Sequence, residues 1–150
     1  PEMRATTCLY FATDQPMPAE RILYLDGDLR GPVNHASIVS NVAPERAPNG
    51  HHLIATSVLG SPSSAELVEV VREQMRDWFG PVVDHWHHLR TYQVRNAQPI
   101  SRQLHVGATP LPSVLAPGVY RCGDYCEDVS LNGMMMSGGK AADTCIEALR

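Results

Sequence analysis

The chain has 150 residues, enough for one domain or for a piece of a larger fold. Hydrophobic residues make up 43% and charged residues 19%, so a core is possible beneath a sparsely charged surface. A net charge of -4 offers no basic face to nucleic acid, and no run of ~18 apolar residues reads as a membrane span.

Pro1 to Tyr10 has neither a basic start nor a long apolar run, so no signal peptide is read there. A start at Pro1 rather than Met fits a fragment or a processed product. Cys8, Cys122, Cys126 and Cys145 are sparse and irregularly spaced. They read as reduced thiols of an intracellular, cytoplasmic protein rather than a disulfide framework.

Thr6 to Thr13 is rich in β-branched and aromatic residues and predicts a strand. Arg21 to Leu25 predicts a second, closed by the turn signal Asp26-Gly27. Ala36 to Val42 and His52 to Val58 predict a third and a fourth, with a proline-bearing loop from Ala43 to Gly50 between them. Short turns between strands imply a largely antiparallel sheet. Ser63 and Glu66 have capping-box spacing, and Leu67, Val70, Val71, Met75 and Trp78 then recur at helical spacing. A helix over Ser63 to Phe79 follows, stopped by Gly80-Pro81. Trp86 to Arg95 reads as a strand with Trp86, Leu89 and Val94 buried, and Gln98 to Pro117 as a proline-rich connection.

Gly118 to Asp124 reads as a short strand ending in Gly-Asp, and Leu131 to Leu149 as a second helix. Met135, Ala142, Cys145, Ile146 and Leu149 are its expected buried face. Gly138-Gly139 inside it costs about 1 kcal/mol each against alanine, which implies a close approach to the helix backbone. The helix start near Asn132-Gly133-Met134 offers free N–H groups and a positive dipole end. Gly133 lets a flat ligand or a phosphate come near, and Asp124 can accept hydrogen bonds from ligand hydroxyls.

The string Gly118 to Ala142, GVYRCGDYCEDVSLNGMMMSGGKAA, resembles the last flavin-binding motif of flavin-containing amine oxidases, protoporphyrinogen oxidases and phytoene desaturases. The resemblance implies that Gly123 and Asp124 hold the ribityl or phosphate part of FAD. It implies that Asn132, Gly133 and Met134 form the helix start facing the flavin pyrimidine edge. Gly138 and Ala141 match its small positions, where the helix packs on a dinucleotide-binding sheet. Met134 and Gly139 depart from the pattern, which favours Ala and a charged residue there. Trp86 to Pro99 and Ser40 to Gly60 resemble upstream strands of the same family more weakly.

The Gly-x-Gly-x-x-Gly turn that binds the FAD pyrophosphate in such enzymes is missing from the sequence. The expectation is therefore an α+β (mixed) fold in three parts. Residues 1–98 form part of a substrate-binding domain, a mainly antiparallel sheet with one long helix. Residues 99–117 connect it to residues 118–150, the final strand and helix of an FAD-binding domain. The function expected is that of a fragment of a flavin-dependent oxidoreductase acting on a small molecule, an amine or an apolar isoprenoid or porphyrinogen. The isolated chain is expected to be inactive, its partner a missing amino-terminal half or a second copy.

Other readings stand beside this one. A non-catalytic binding or oligomerisation module holding no FAD alone is favoured by the missing glycine-rich turn. A small enzyme with a histidine-based site around His85 to His88 is a third reading, while a metal site on His85, His87 and His88, with His51 and His52, lacks any acid or cysteine at ligand spacing. Cys122 and Cys126 stand one residue too far apart for the usual redox pair. Met135 and Met136 read equally as packing residues.

Overall fold

The computed structural model describes residues 2–62, 66–100 and 110–150. Its chain divides into two compact units, one of Ala5–Arg95 and one of Pro1–Arg4 with Asn96–Arg150. The first expectation holds: the fold mixes helices with a mostly antiparallel sheet.

The Ala5–Arg95 unit is built on strands β1 (Met3–Thr13), β2 (Leu23–Leu25), β3 (Val33–Ile38), β4 (His52–Leu59) and β5 (His87–Pro99), in the order β2-β3-β4-β1-β5. β1 and β4 pair antiparallel from Thr6 opposite Leu59 to Thr13 opposite His52. Alternation along these strands sends Leu9, Phe11, Ile54 and Val58 to one face. There they form a core with Leu67, Val71 and Met75 of helix α2 (Leu67–Phe79). The apolar stripe of α2 was legible because 3.6-residue periodicity puts those three side chains on one face. The proposed cap at Ser63 lies outside the described residues.

Two expectations for this unit need correction. The third strand ends at Ile38, and Val39–Val42 form one helical turn, α1. Side chains draw the chain out of the ladder there. Ser40 Oγ accepts from the Leu53 N–H at 3.1 Å, and Asn41 Nδ2 donates to the Pro18 and Glu20 carbonyls at 2.7 and 3.0 Å. Trp86 is buried as expected, but Leu89 and Val94 are 56% and 43% exposed. β5 is a sheet edge, and alternation identifies a face without saying whether anything covers it. His85 closes a 3-10 turn, Gly80–His85, before the strand begins.

In the other unit, β6 (Val114–Ala116) and β7 (Val119–Tyr120) form a two-stranded antiparallel sheet. The strand expected over Gly118 to Asp124 shrinks to β7. Arg121 still lies beside the partner segment, its N–H donating to the Ser113 carbonyl and its Nε to the Pro112 carbonyl. Helix α3 spans Leu131–Ala148. Its buried positions are Gly133, Ser137 and Ala141, not the larger residues expected. Met135, Ile146 and Leu149 are exposed. The chain's own loop lies against the small-residue stripe of α3, and only small side chains leave room for it.

Candidate functional site

The candidate site is the loop from Gly123 to Ser130 with the first turns of α3. Gly123 has φ 152°, open to glycine and strained for other residues, and a Cβ there would meet the Tyr125 ring. Asp124 opens a 3-10 turn, Asp124–Cys126, and its Oδ1 accepts from the Tyr125 N–H at 2.9 Å. Burial pushes the Tyr125 phenol above its ordinary range, and the neighbouring Cys126 adds to this.

One bond tying the loop to the helix runs from the Gly123 N–H to the buried Ser137 Oγ at 3.0 Å. Ser137 lies four residues beyond Gly133, about one turn, so Gly123 is held beside the start of α3. Lys140 Nζ bridges to Glu127 at 2.6 Å and fastens the same loop one turn further along.

The helix start is built by Ser130. Its Oγ accepts from the Gly133 N–H at 3.0 Å and donates to the Asp128 carboxylate. This is an N-cap, satisfying one of the unpaired donors of the first turn. The Met134 N–H is already spent inside the helix, on the Ser130 carbonyl at 3.0 Å. Among the described residues, the N–H groups of Leu131 and Asn132 take no acceptor. They are the donors left at the positive end of the dipole.

Gly133 is required for a reason internal to the chain. A Cβ there would collide with the Asp128 carbonyl and carboxylate. Gly138 and Gly139 have open space where a side chain would be, while Ala141 is buried. Leu131, Met134, Met135 and Met136 leave a run of exposed apolar side chains on the first turns.

The structure places Gly123 and Asp124 in the turn after β7 and Asn132, Gly133 and Met134 in the first turn of α3, the two segments joined by the bond from Gly123 to Ser137. Sequence reasoning missed Ser130 and Asp128, although Ser immediately before a helical run is an N-cap signal. Among the described residues no three His, Cys, Asp or Glu side chains are placed to hold a metal ion. His88 instead faces Phe11 at 5.5 Å and bonds Thr91. All four cysteines are free thiols. Among the described residues no helix is long and apolar enough to cross a membrane.

Comparison with known proteins adds descent to this geometry. The fold matches the solved structure of an oxidoreductase from Methanosarcina mazei at TM-score 0.69 and 19% identity, covering 95% of this chain and 34% of that one. It matches a protein from Pyrococcus furiosus at TM-score 0.63 and 13% identity, covering 97% of this chain and 32% of that one. The chain thus spans about a third of the length of either. No curated protein matches it. The family model for flavin-containing amine oxidoreductases matches residues 2–146, and the chain belongs to that family.

Proposed function

We propose that this chain is part of an FAD-dependent oxidoreductase acting on a small molecule, an amine or an apolar isoprenoid or porphyrinogen, and that the loop and helix start around Gly123–Met134 form one wall of its flavin site. In this reading Ala5–Arg95 belongs to the substrate-binding domain and the α3 unit to the FAD-binding domain.

The observation that carries the reading is the capped start of α3 beside the Gly123-Asp124 turn. The donor chemistry fits a flavin. The Leu131 and Asn132 N–H groups and the helix dipole suit the electron-rich pyrimidine edge, where negative charge grows on reduction. Asp124 keeps one carboxylate oxygen without a protein donor among the described residues, available to a ribityl hydroxyl. The exposed Met134 offers soft apolar surface to a ring. A flavin held by these residues would supply hydride-transfer chemistry. The protein's residues bind it, orient it and exclude water.

The exposed apolar side of α3, with Leu131, Met135, Ile146 and Leu149, supports a further part of the reading. In this reading the remainder of a longer protein covers that face, and it is the remainder that carries the turn for the FAD pyrophosphate.

The test is flavin retention. The longer protein containing this chain should purify with a visible flavin band, and Asp124→Ala should weaken FAD binding by about tenfold, the worth of one charge-assisted hydrogen bond. Retention unchanged by Asp124→Ala, or a full-length protein that binds no flavin, would sink the reading.

A further inference from the structure

The face of the Ala5–Arg95 sheet that points away from α2 holds an open concavity of about 780 Å³. Small-molecule sites run from roughly 300 to 1,000 Å³. Alternation puts Tyr10 of β1 and Leu53 of β4 on this face, since their neighbours Leu9, Phe11 and Ile54 occupy the core. Leu89 and Tyr92 of β5 complete an apolar lining. Tyr10 and Tyr92 meet edge to face with ring centroids 5.9 Å apart, a stiff aromatic corner.

The charged residues in this lining are both arginines, Arg46 and Arg90. The Arg90 guanidinium lies over the Tyr92 ring, 5.1 Å from its centroid. Among the described residues no carboxylate pairs with it. Among the described residues Arg46 has only Glu45, at 3.9 Å, and those side chains are 69% and 72% exposed. Such a pair holds an arginine weakly. The concavity therefore joins an apolar, aromatic floor to two guanidinium groups with five N–H donors each, in a geometry made for oxyanions.

We propose that this concavity binds an apolar molecule bearing a carboxylate or phosphate group, and that this molecule is the substrate. The apolar body lies on Tyr10, Leu53 and Leu89, and the anionic group meets Arg90 and Arg46. An ammonium-bearing substrate is repelled by both arginines. The assignment of this molecule as substrate rests on the oxidoreductase reading above; the binding itself does not.

Isothermal titration of the 150-residue chain with decanoate, decyl phosphate, decylamine and decanol tests it. One or both anions should bind at least about tenfold more tightly than decylamine, and the tighter of the two names the group. Arg90→Gln and Arg46→Gln should each weaken the preferred anion by about tenfold and leave decanol unchanged. Both residues are exposed, so neither change threatens folding. Arg30→Gln, in the loop before β3, should change nothing. Decylamine binding as tightly as the anions, or anion affinity indifferent to both substitutions, would overturn the proposal. Flavin retention is read separately. A chain that binds decanoate while the longer protein holds no flavin keeps the anion site and sinks the oxidoreductase reading. A flavoprotein whose concavity prefers decylamine does the reverse.

Discussion

Gln74 of α2 stands in for a missing strand beside Val33. Its Oε1 accepts from the Val33 N–H at 2.7 Å and its Nε2 donates to the Val33 carbonyl at 3.1 Å. β2 pairs with β3 only from Ser37 back to His35, so the outer edge of Val33 has no strand partner. Both groups are buried. A third bond, from Nε2 to Asp26 Oδ2 at 3.1 Å, ties the turn after β2 to the same side chain. One polar residue in an otherwise apolar helix face thus fixes where α2 sits on the sheet.

Gln74→Leu keeps the volume and removes every partner. Two buried backbone groups are then unsatisfied, at about 1–3 kcal/mol each. The expected loss is about 2–5 kcal/mol in urea unfolding. Gly31→Ala should act through the same contact, because a Cβ at Gly31 would overlap the Gln74 carboxamide. The two changes share one interaction, so their combined cost should fall well short of the sum. Additive costs would show that Gln74 and Gly31 act independently.

Arg72 is the cation of the core's edge. Nη2 donates to the Trp86 carbonyl at 2.6 Å, Nη1 to the Val83 carbonyl at 3.3 Å, and the guanidinium lies 5.6 Å from the Phe11 ring centroid. Its side chain is 15% exposed, so these bonds are made in a partly dried setting. Arg72→Met should cost about 2–4 kcal/mol, from two charge-assisted bonds and a cation–π contact. Arg72→Lys should recover little of it, since an ammonium cannot span both carbonyls in one plane. Thermal melts of the three proteins measure this; a lysine variant as stable as the parent contradicts it.

What the sequence reveals, and what it hides, follows from the same physics. The α2 stripe was legible because Leu67, Val71 and Met75 repeat with the helix period, and the strand β1 because TTCLYFAT has few other homes. The burial of α3 was misread because large apolar residues were taken as the core. The chain instead buries Gly133, Ser137 and Ala141 and leaves Met135 and Leu149 outside. A helix in close contact with a loop selects small residues, and a hydrophobic pattern alone does not distinguish the two cases. For the site, the Gly-Asp and Asn-Gly signals located the turn and the helix start. The Asp128–Ser130 cap was hidden because it depends on a loop conformation that no spacing specifies. Arg46 and Arg90 were invisible as a pair, being 44 positions apart by their numbers and joined only when β5 adds to the sheet edge.

Tyr24 carries a pH prediction. Its ring meets Phe79 edge to face at 4.9 Å, and burial raises its phenol above the ordinary value of 10.0, with Glu20 adding repulsion. The folded state therefore holds this proton more tightly than the unfolded state does. The stability it contributes is fully present below pH 10.0 and is lost as pH rises through the folded value. Melting temperature should fall more steeply above pH 10.0 in the parent than in Tyr24→Phe, which has no proton to lose. Equal slopes would show that the phenol does not report on folding.

The start of α3 separates two causes of instability at one turn. Ser130→Ala removes the N-cap acceptor of the Gly133 N–H and the donor to Asp128, at a cost of about 1 kcal/mol. Gly133→Ala is a better helix former by about 1 kcal/mol, so propensity alone predicts a gain. The Cβ, however, would enter the space held by the Asp128 carbonyl, which is backbone and cannot swing aside. The loop must move, and with it the Ser130 cap. Gly133→Ala should therefore destabilise the chain despite its propensity, and amide exchange should quicken at Gly133 and Met134. Asp128→Gly removes the carboxylate but not the carbonyl, so it should not rescue Gly133→Ala. Rescue by Asp128→Gly would show that the side chain alone forbids a Cβ at this position.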